Sequence, residues 1–293
     1  MRDNKISNKR LEPAPGVLYI VGTPIGNIND LSPRARFVLK EVSLIACEDT
    51  RHSGQLLKRL GIKTPLISFH RHNTKSRISE ILQMLKQENS VAVISDAGLP
   101  LISDPGEELV SATRDENHEV ICIPGPCAAT TALVCSGLPC KRFCFEGFLP
   151  KKGKDRKNVI QTLSQEERTT VIYESPHKLI QLLEELAISC GENRPLYVAR
   201  ELTKHYEEIT GANIGSVIQH FRKNKPQGEF TILLGGNSEK KSHKQTPEEL
   251  RGEMKDLIKD GISPRDVARV ISDKTGLSKR DLYSIIHKDI QNE

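Results

Sequence analysis

From residue 17 onward, short β-branched runs alternate with stretches in which apolar residues recur at helical spacing. VLYIVG (17–22) predicts a buried strand ending in a Pro/Gly loop, and Ser32-Pro33 supplies an N-cap and first-turn proline for a helix through Val42. LIAC (44–47) predicts the next strand. Within 75–88, Ile78, Ile81, Leu82 and Leu85 fall at i, i+3, i+4 and i+7, the pattern of a surface helix. VAVIS (91–95), a helix after Pro105 and VICI (120–123) follow. This alternation predicts an α/β domain whose sheet is largely parallel and covered by helices.

Pro124-Gly125-Pro126 interrupts the pattern and marks a boundary. A second half then begins with a small-residue helix near 127–136, FCFEGF (143–148), a helix after Lys154 and TTVIYE (169–174). It continues through a helix carrying Leu179, Leu182, Leu183 and Leu186, PLYVARE (195–201), HYEEIT (205–210), a helix near 213–223 and EFTILLGG (229–236). The late strands are closely spaced, which predicts antiparallel pairs. The organisation expected is a disordered polar leader over 1–15, α/β domains over 16–126 and 127–237, a polar linker, and a helical tail over 246–293. Two α/β halves of similar size leave a cleft between them, and ligands bind in such clefts and beyond strand C-termini. In the tail, Ser263-Pro264 opens a helix with Val267, Ala268, Val270 and Ile271 inward, and Ser278 with Asp281 makes a capping-box-like start for another. Two short helices across a glycine-containing turn resemble a helix-turn-helix unit, although a dimerisation element fits the same pattern.

Composition narrows the class. The chain has 293 residues, a formal charge of +5, 37% hydrophobic and 28% charged residues, which suits a globular protein of two domains. No apolar run approaches the ~20 residues a bilayer span needs. Residues 1–16 lack the apolar core of a secretion signal, and the expected location is the cytoplasm. The seven cysteines include no CxxC pair. Cys47, Cys122 and Cys135 lie in apolar stretches and read as small core residues. Cys122/Cys127 and Cys140/Cys144 lack His/Cys partners at zinc spacing, so no metal is expected. Charge is unevenly spread. No acid interrupts 51–79, which carries Arg51, Lys58, Arg59, Lys63, Arg71, Lys75 and Arg77; Lys151, Lys152, Lys154, Arg156 and Lys157 surround a single acid, Asp155. Such runs are either solvated surface or the footprint of an anionic partner.

Candidate chemistry sits in loops that follow strands. Gly22-Thr23-Pro24-Ile25-Gly26-Asn27 lacks both the Lys-Ser/Thr of a P-loop and the G-x-G-x-x-G spacing of a dinucleotide fold. Residues 95–106, SDAGLPLISDPG, hold far more turn residues than a plain connection needs. Glycine there lets a ligand approach the backbone, and an aspartate accepts from ligand amines or hydroxyls. Pro124-Gly125-Pro126-Cys127-Ala128-Ala129 opens a helix of small residues, leaving room for a flat ring. Tight strand–helix packing accounts for any one of these loops equally well.

Their order, with CEDTRHSGQLL, FEGFLPKK, YESPHKL and ARELTK, resembles the tetrapyrrole methylase superfamily and, within it, the members acting on small-subunit ribosomal RNA. The resemblance spans roughly residues 16–236, and the tail resembles the small helix-turn-helix domain many members carry. It implies two α/β domains with S-adenosylmethionine held between them, and 2′-O-methylation of a decoding-centre cytidine in 16S rRNA or the assembled small subunit, by a homodimer. It implies a cofactor site at Pro24, Gly26, Asp96, Gly98, Leu99, Ser103, Gly125, Pro126, Cys127, Ala128 and Tyr173. Methyl transfer from a sulfonium rests mainly on positioning, which supplies ~7–11 kcal/mol, and a general base adds ~10²–10⁴ in rate. Glu48, Asp49 and Glu174 are the candidate bases. The candidate RNA contacts are Arg51, Lys151, Lys152, Lys154, Arg156, Lys157, Lys279 and Arg280. A precorrin methylase, a methylase of a modified protein side chain, or a non-catalytic RNA-binding protein would share parts of this pattern.

Overall fold

A computed structural model describes residues 12–237, 247–275 and 277–291. The expected elements recur in order, with a helix and a three-residue strand added between residues 48 and 74. In the first half, β1 (Val17–Val21), α1 (Pro33–Glu41), β2 (Leu44–Cys47), α2 (Thr50–Leu60), β3 (Leu66–Ser68), α3 (Thr74–Lys86), β4 (Val91–Ile94), α4 (Glu107–Asp115) and β5 (Glu119–Ile123) form a five-stranded parallel sheet, ordered β3-β2-β4-β1-β5. The central strands are continuous apolar runs because helices cover both faces. Tyr19, Ile45 and Ala92 point to the layer holding Val38, Leu39 and Leu57; Leu18, Ala46 and Val93 point to the layer holding Ile81, Leu85 and Leu109. Ser32 caps α1 by accepting from Ala35 N at 3.0 Å. The leader's residues 1–11 lie outside the described residues, while Glu12 pairs with Arg34 and Ala14 N donates to the Tyr19 hydroxyl at 2.8 Å.

In the second half, α5 (Ala128–Ser136), β6 (Phe143–Phe148), α6 (Gly153–Gln165), β7 (Thr169–Glu174), α7 (Leu179–Cys190), β8 (Pro195–Arg200), β9 (Glu208–Asn213), α8 (Ile214–Lys223) and β10 (Phe230–Leu234) build a sheet ordered β6-β7-β10-β8-β9. Only β6 and β7 run parallel; the remaining neighbours are antiparallel, as strand spacing predicts. One face is covered by α6, α7 and α8 through residues such as Leu163, Leu183 and Phe221. The other packs Val171, Ala199 and Leu233 against Ala129, Ala132 and Leu133 of α5 and against Ile25 of the first half. Ile25 therefore ties the first loop to the second sheet.

Two cysteines depart from expectation: Cys122 and Cys135 are exposed, Cys122 because β5 is an edge strand and Cys135 because it faces away from the α5 core contact. From Asn237 the chain forms a separate unit. Its helices α9 (Pro247–Lys259), α10 (Pro264–Thr275) and α11 (Lys279–Gln291) share a core of Leu250, Met254, Val267, Ala268, Ile271 and Leu282. Val270, expected inward, is 47% exposed; it falls outside the stripe of Val267, Ala268 and Ile271 that α10 gives to that core. Among the described residues, no helix is long and apolar enough to cross a membrane.

Candidate functional site

The three glycine- and proline-rich loops leave the C-terminal ends of β4, β1 and β5, which are neighbours in the sheet. Their backbones are knitted together. Thr23 and Gly98 exchange both main-chain hydrogen bonds, at 2.9 and 3.2 Å, and the buried Thr23 hydroxyl donates to the Ser95 and Gly98 carbonyls. Gly22 and Gly125 touch main chain to main chain, since a Cβ on either would lie 2.7 Å from the other's Cα. Gly98 takes φ +86°, and a Cβ there would meet Ile25 Cγ2 at 3.3 Å. Leu101 and Ser103 also hold left-handed backbone, at φ +73° and +70°. For non-glycine residues that costs about 1–3 kcal/mol each, and it persists where surroundings over-determine it, as in ligand clamps.

Between these loops and the second sheet lies a cleft of about 410 Å³. Asp96, Gly98, Leu99, Ser103, Cys127, Ala128 and Tyr173 line it, and so does Glu174. Of the remaining expected cofactor residues, Pro24 is half-buried in the first loop, and the other three stand behind the cleft. Gly26 presses on Thr203 and Lys204, where a Cβ would come within 2.7 and 2.4 Å, and Gly125 and Pro126 pack on Gly22 and Gly98. Ile25, Ile102, Asp104, Phe148, Ser175 and Thr231 also line the cleft, and no sequence motif points to them individually. Most are ordinary apolar or hydroxyl residues whose role depends on which loops meet. Tyr173 is fixed by its hydroxyl, which accepts from Ala129 N at 3.1 Å, and by edge contact with Phe145. Burial pushes its phenol up, so it remains protonated.

The acids differ sharply. Asp49 caps α2, accepting from Arg51 N at 2.8 Å, and its carboxylate pairs with the Arg51 guanidinium at 2.9 Å. These bonds hold its pKa at about 2, which makes it a poor proton acceptor at neutral pH. Glu174 is buried; its Oε1 accepts from Ser175 N at 2.8 Å, and its Oε2 lies 4.0 Å from Arg156. Glu48 is half-buried and, with Asp96, faces Asp104. Asp104 itself is pushed up to about 6, mainly by burial and then by those two carboxylates, with Ser95 and Arg71 pulling the other way.

Of the expected RNA contacts, Lys151, Lys152, Lys154 and Lys157 are exposed at the start of α6, and the Arg51 side chain is 88% exposed beside Asp49. Arg156 is a correction. It is buried, donating from Nε to Glu185 at 2.8 Å and from Nη1 to the Pro150 carbonyl at 3.1 Å, because α6 turns this position toward the core. In the separate helical unit, Lys279 and Arg280 are exposed in the first turn of α11 and line a groove with Arg265, Arg269 and Tyr283.

The cleft suits a nucleoside bearing a cation. Its volume falls in the range of small-molecule sites. Ala97, Gly98, Cys127 and Ala128 leave space for a flat ring, while Asp96, Asp104 and Glu174 supply negative charge. With this cleft, the family match and the curated relatives below make the chain an S-adenosylmethionine-dependent methyltransferase. Residues 17–218 match the family model Tetrapyrrole (Corrin/Porphyrin) Methylases, and the chain belongs to that family. Among curated relatives, "Ribosomal RNA small subunit methyltransferase I" of Synechocystis sp. is 44% identical over 92% of this chain and 97% of its own length. The protein of the same name from Thermotoga maritima is 47% identical, covering 75% of this chain but 99% of its own. Among solved structures, a cobalt precorrin-4 methyltransferase superposes with TM-score 0.54 at 16% identity, over 75% of this chain and 95% of that one. A uroporphyrin-III-C-methyltransferase from Thermus thermophilus superposes with TM-score 0.52 at 20% identity, over 75% of this chain and 94% of its own. These two share the fold.

Proposed function

We propose that the chain methylates small-subunit ribosomal RNA, at the ribose 2′-oxygen of a decoding-centre cytidine, acting in the cytoplasm as a homodimer. The observation that supports the rRNA substrate is identity of about two residues in five or more, over nearly the whole length of relatives named for that rRNA; the ribose position and the dimer rest on the motif resemblance. S-adenosylmethionine, held in the cleft, supplies a methyl group on a positively charged sulfur. The protein's part is placement. Gly98 lets the loop backbone lie against the ligand, Tyr173 and Phe148 form an aromatic wall, and the strained 101–103 turn fixes the rim. Methyl transfer from labelled cofactor, run in parallel on isolated small subunits, free rRNA and precorrin, tests the reading. We expect label in rRNA as 2′-O-methylcytidine and a dimer's mass by light scattering. Label in precorrin alone would overturn the RNA assignment, and a monomer's mass the dimer.

RNA grip falls to Lys151, Lys152, Lys154 and Lys157 on the α/β unit, with Arg51 near the cleft and with Lys279 and Arg280 on the helical unit. Every phosphate that these residues release when neutralised should lower the log–log salt slope of RNA binding by about 0.7–0.9. Glutamine at the four lysines, and separately alanine at Lys279 and Arg280, should flatten that slope without moving cofactor affinity. A slope equal to the wild type's in either variant would return that patch to plain solvated surface.

A further inference from the structure

Asp104 borders two cavities at once. On one side is the cofactor cleft; on the other is a groove of about 690 Å³ between the β3–α3 loop and the start of α4. The two walls of this groove differ in charge. Arg71, His72 and Lys75 stand on one, all exposed, and neither Arg71 nor Lys75 forms a salt bridge among the described residues. Glu107 and Glu108 stand on the other. An RNA phosphate in this groove is drawn to Arg71 and Lys75, which brings the attached nucleotide into the groove that Asp104 also lines. Asp104 is a half-buried carboxyl directly after the left-handed Ser103.

We propose that Asp104 takes the proton of the acceptor ribose hydroxyl, and that the groove walled by Arg71 and Lys75 holds the acceptor nucleotide's phosphate. This rests on the rRNA 2′-O-methylation reading above. Asp104 accepts the hydroxyl proton as the ribose oxygen bonds to the methyl carbon. The electron pair of the broken S–C bond stays on sulfur, giving a neutral thioether, and Asp104 then returns its proton to water through the groove. Burial does most to raise its proton affinity; a hydrogen bond with Ser95 lowers it, Glu48 and Asp96 raise it, Arg71 lowers it, and the Tyr173 phenol across the cleft remains neutral. A carboxyl titrating near 6 is ionised at neutral pH yet more basic than an ordinary aspartate, which suits a general base.

The test measures kcat and KM for small subunits as pH falls through this region, in wild type, Asp104→Asn, Asp104→Glu and Arg71→Ala. Cofactor affinity by calorimetry and rRNA-fragment affinity by fluorescence anisotropy accompany each variant, and carbon-13 NMR follows the Asp104 carboxyl directly. We expect wild-type kcat to fall on acidification with the same midpoint as the carboxyl. Asp104→Asn should lose about 10²–10⁴-fold in kcat together with that inflection. It should keep both affinities, and Asp104→Glu should recover part of the rate. Arg71→Ala should raise KM and weaken RNA binding about tenfold, the effect of one charge-assisted hydrogen bond, and should move the acidic inflection in kcat to higher pH, because a cation that lowers Asp104's proton affinity is gone. Asp104→Asn with wild-type kcat overturns the proposal. So does loss of its cofactor affinity, which would make Asp104 a cofactor-holding group. If wild type methylates neither small subunits nor rRNA, the underlying reading fails and takes the proposal with it.

Discussion

Gly98→Val should lower S-adenosylmethionine affinity at least about 100-fold, a loss of about 2.7 kcal/mol in binding. Gly98 lies on the cleft wall at φ +86°, where a valine's backbone is strained and its Cβ would already meet Ile25 Cγ2 at 3.3 Å and the Pro126 carbonyl at 3.5 Å. The remaining methyl groups must push Ile25 aside or project into the cleft, and Ile25 is itself a lining residue. Either way the surface that meets the ligand changes shape. Gly125→Val is the informative contrast. Its Cβ would sit 2.7 Å from Gly22 Cα, behind the cleft, where main chain cannot yield. That variant should lose folding stability first and cofactor binding only as a consequence. Calorimetry and thermal melting on both variants separate the two roles. Wild-type cofactor affinity in folded Gly98→Val would remove this loop from the site.

What the sequence reveals follows from burial. β1, β2 and β4 are legible because helices cover both sheet faces, so every position is apolar and the runs stand out. α2 and β3 are not. The inner face of α2 is made by Ser53, Leu57 and Leu60 among polar residues, and β3 is a half-buried strand of three residues. β5 reads as buried but is an edge strand, which is why Cys122 comes to the surface. The candidate ligand loops are legible through their density of turn residues, and a cleft forms where they meet. Asp104 lies within the 95–106 loop, yet its unusual proton affinity depends on Glu48, a residue from a different loop, and on burial that only the fold creates. Arg156 is the opposite case, because its signal is present in the sequence. Arg156, Ile160 and Leu163 fall at i, i+4 and i+7, and all three are buried; helical spacing outweighs membership of a basic run.

That buried arginine carries the second large effect. Arg156→Ala should destabilise the α/β unit by about 3–5 kcal/mol, the cost of removing one partner from a buried ion pair. The guanidinium reaches Glu185 at 2.7 Å and the Pro150 carbonyl at 3.1 Å, and it is the cation beside Glu174, whose side chain is 7% exposed. Its loss leaves Glu174 as an uncompensated carboxylate at the edge of the cofactor cleft and unties the β6–α6 connection from α7. Glu185 is 30% exposed and can turn to water, which favours the lower end of that range. Arg156→Lys should recover only part of the loss, because a single ammonium cannot satisfy Glu185 and the Pro150 carbonyl with the fixed fork of a guanidinium. The neighbouring exposed Lys157→Ala should stay within about 0.5 kcal/mol of wild type, as surface changes usually do. Denaturant unfolding of the three variants measures the differences directly. Arg156→Ala with the same midpoint as Lys157→Ala would mean that this residue is held for its charge at the surface, as the basic run alone suggests, and not for the packing of α6 against α7.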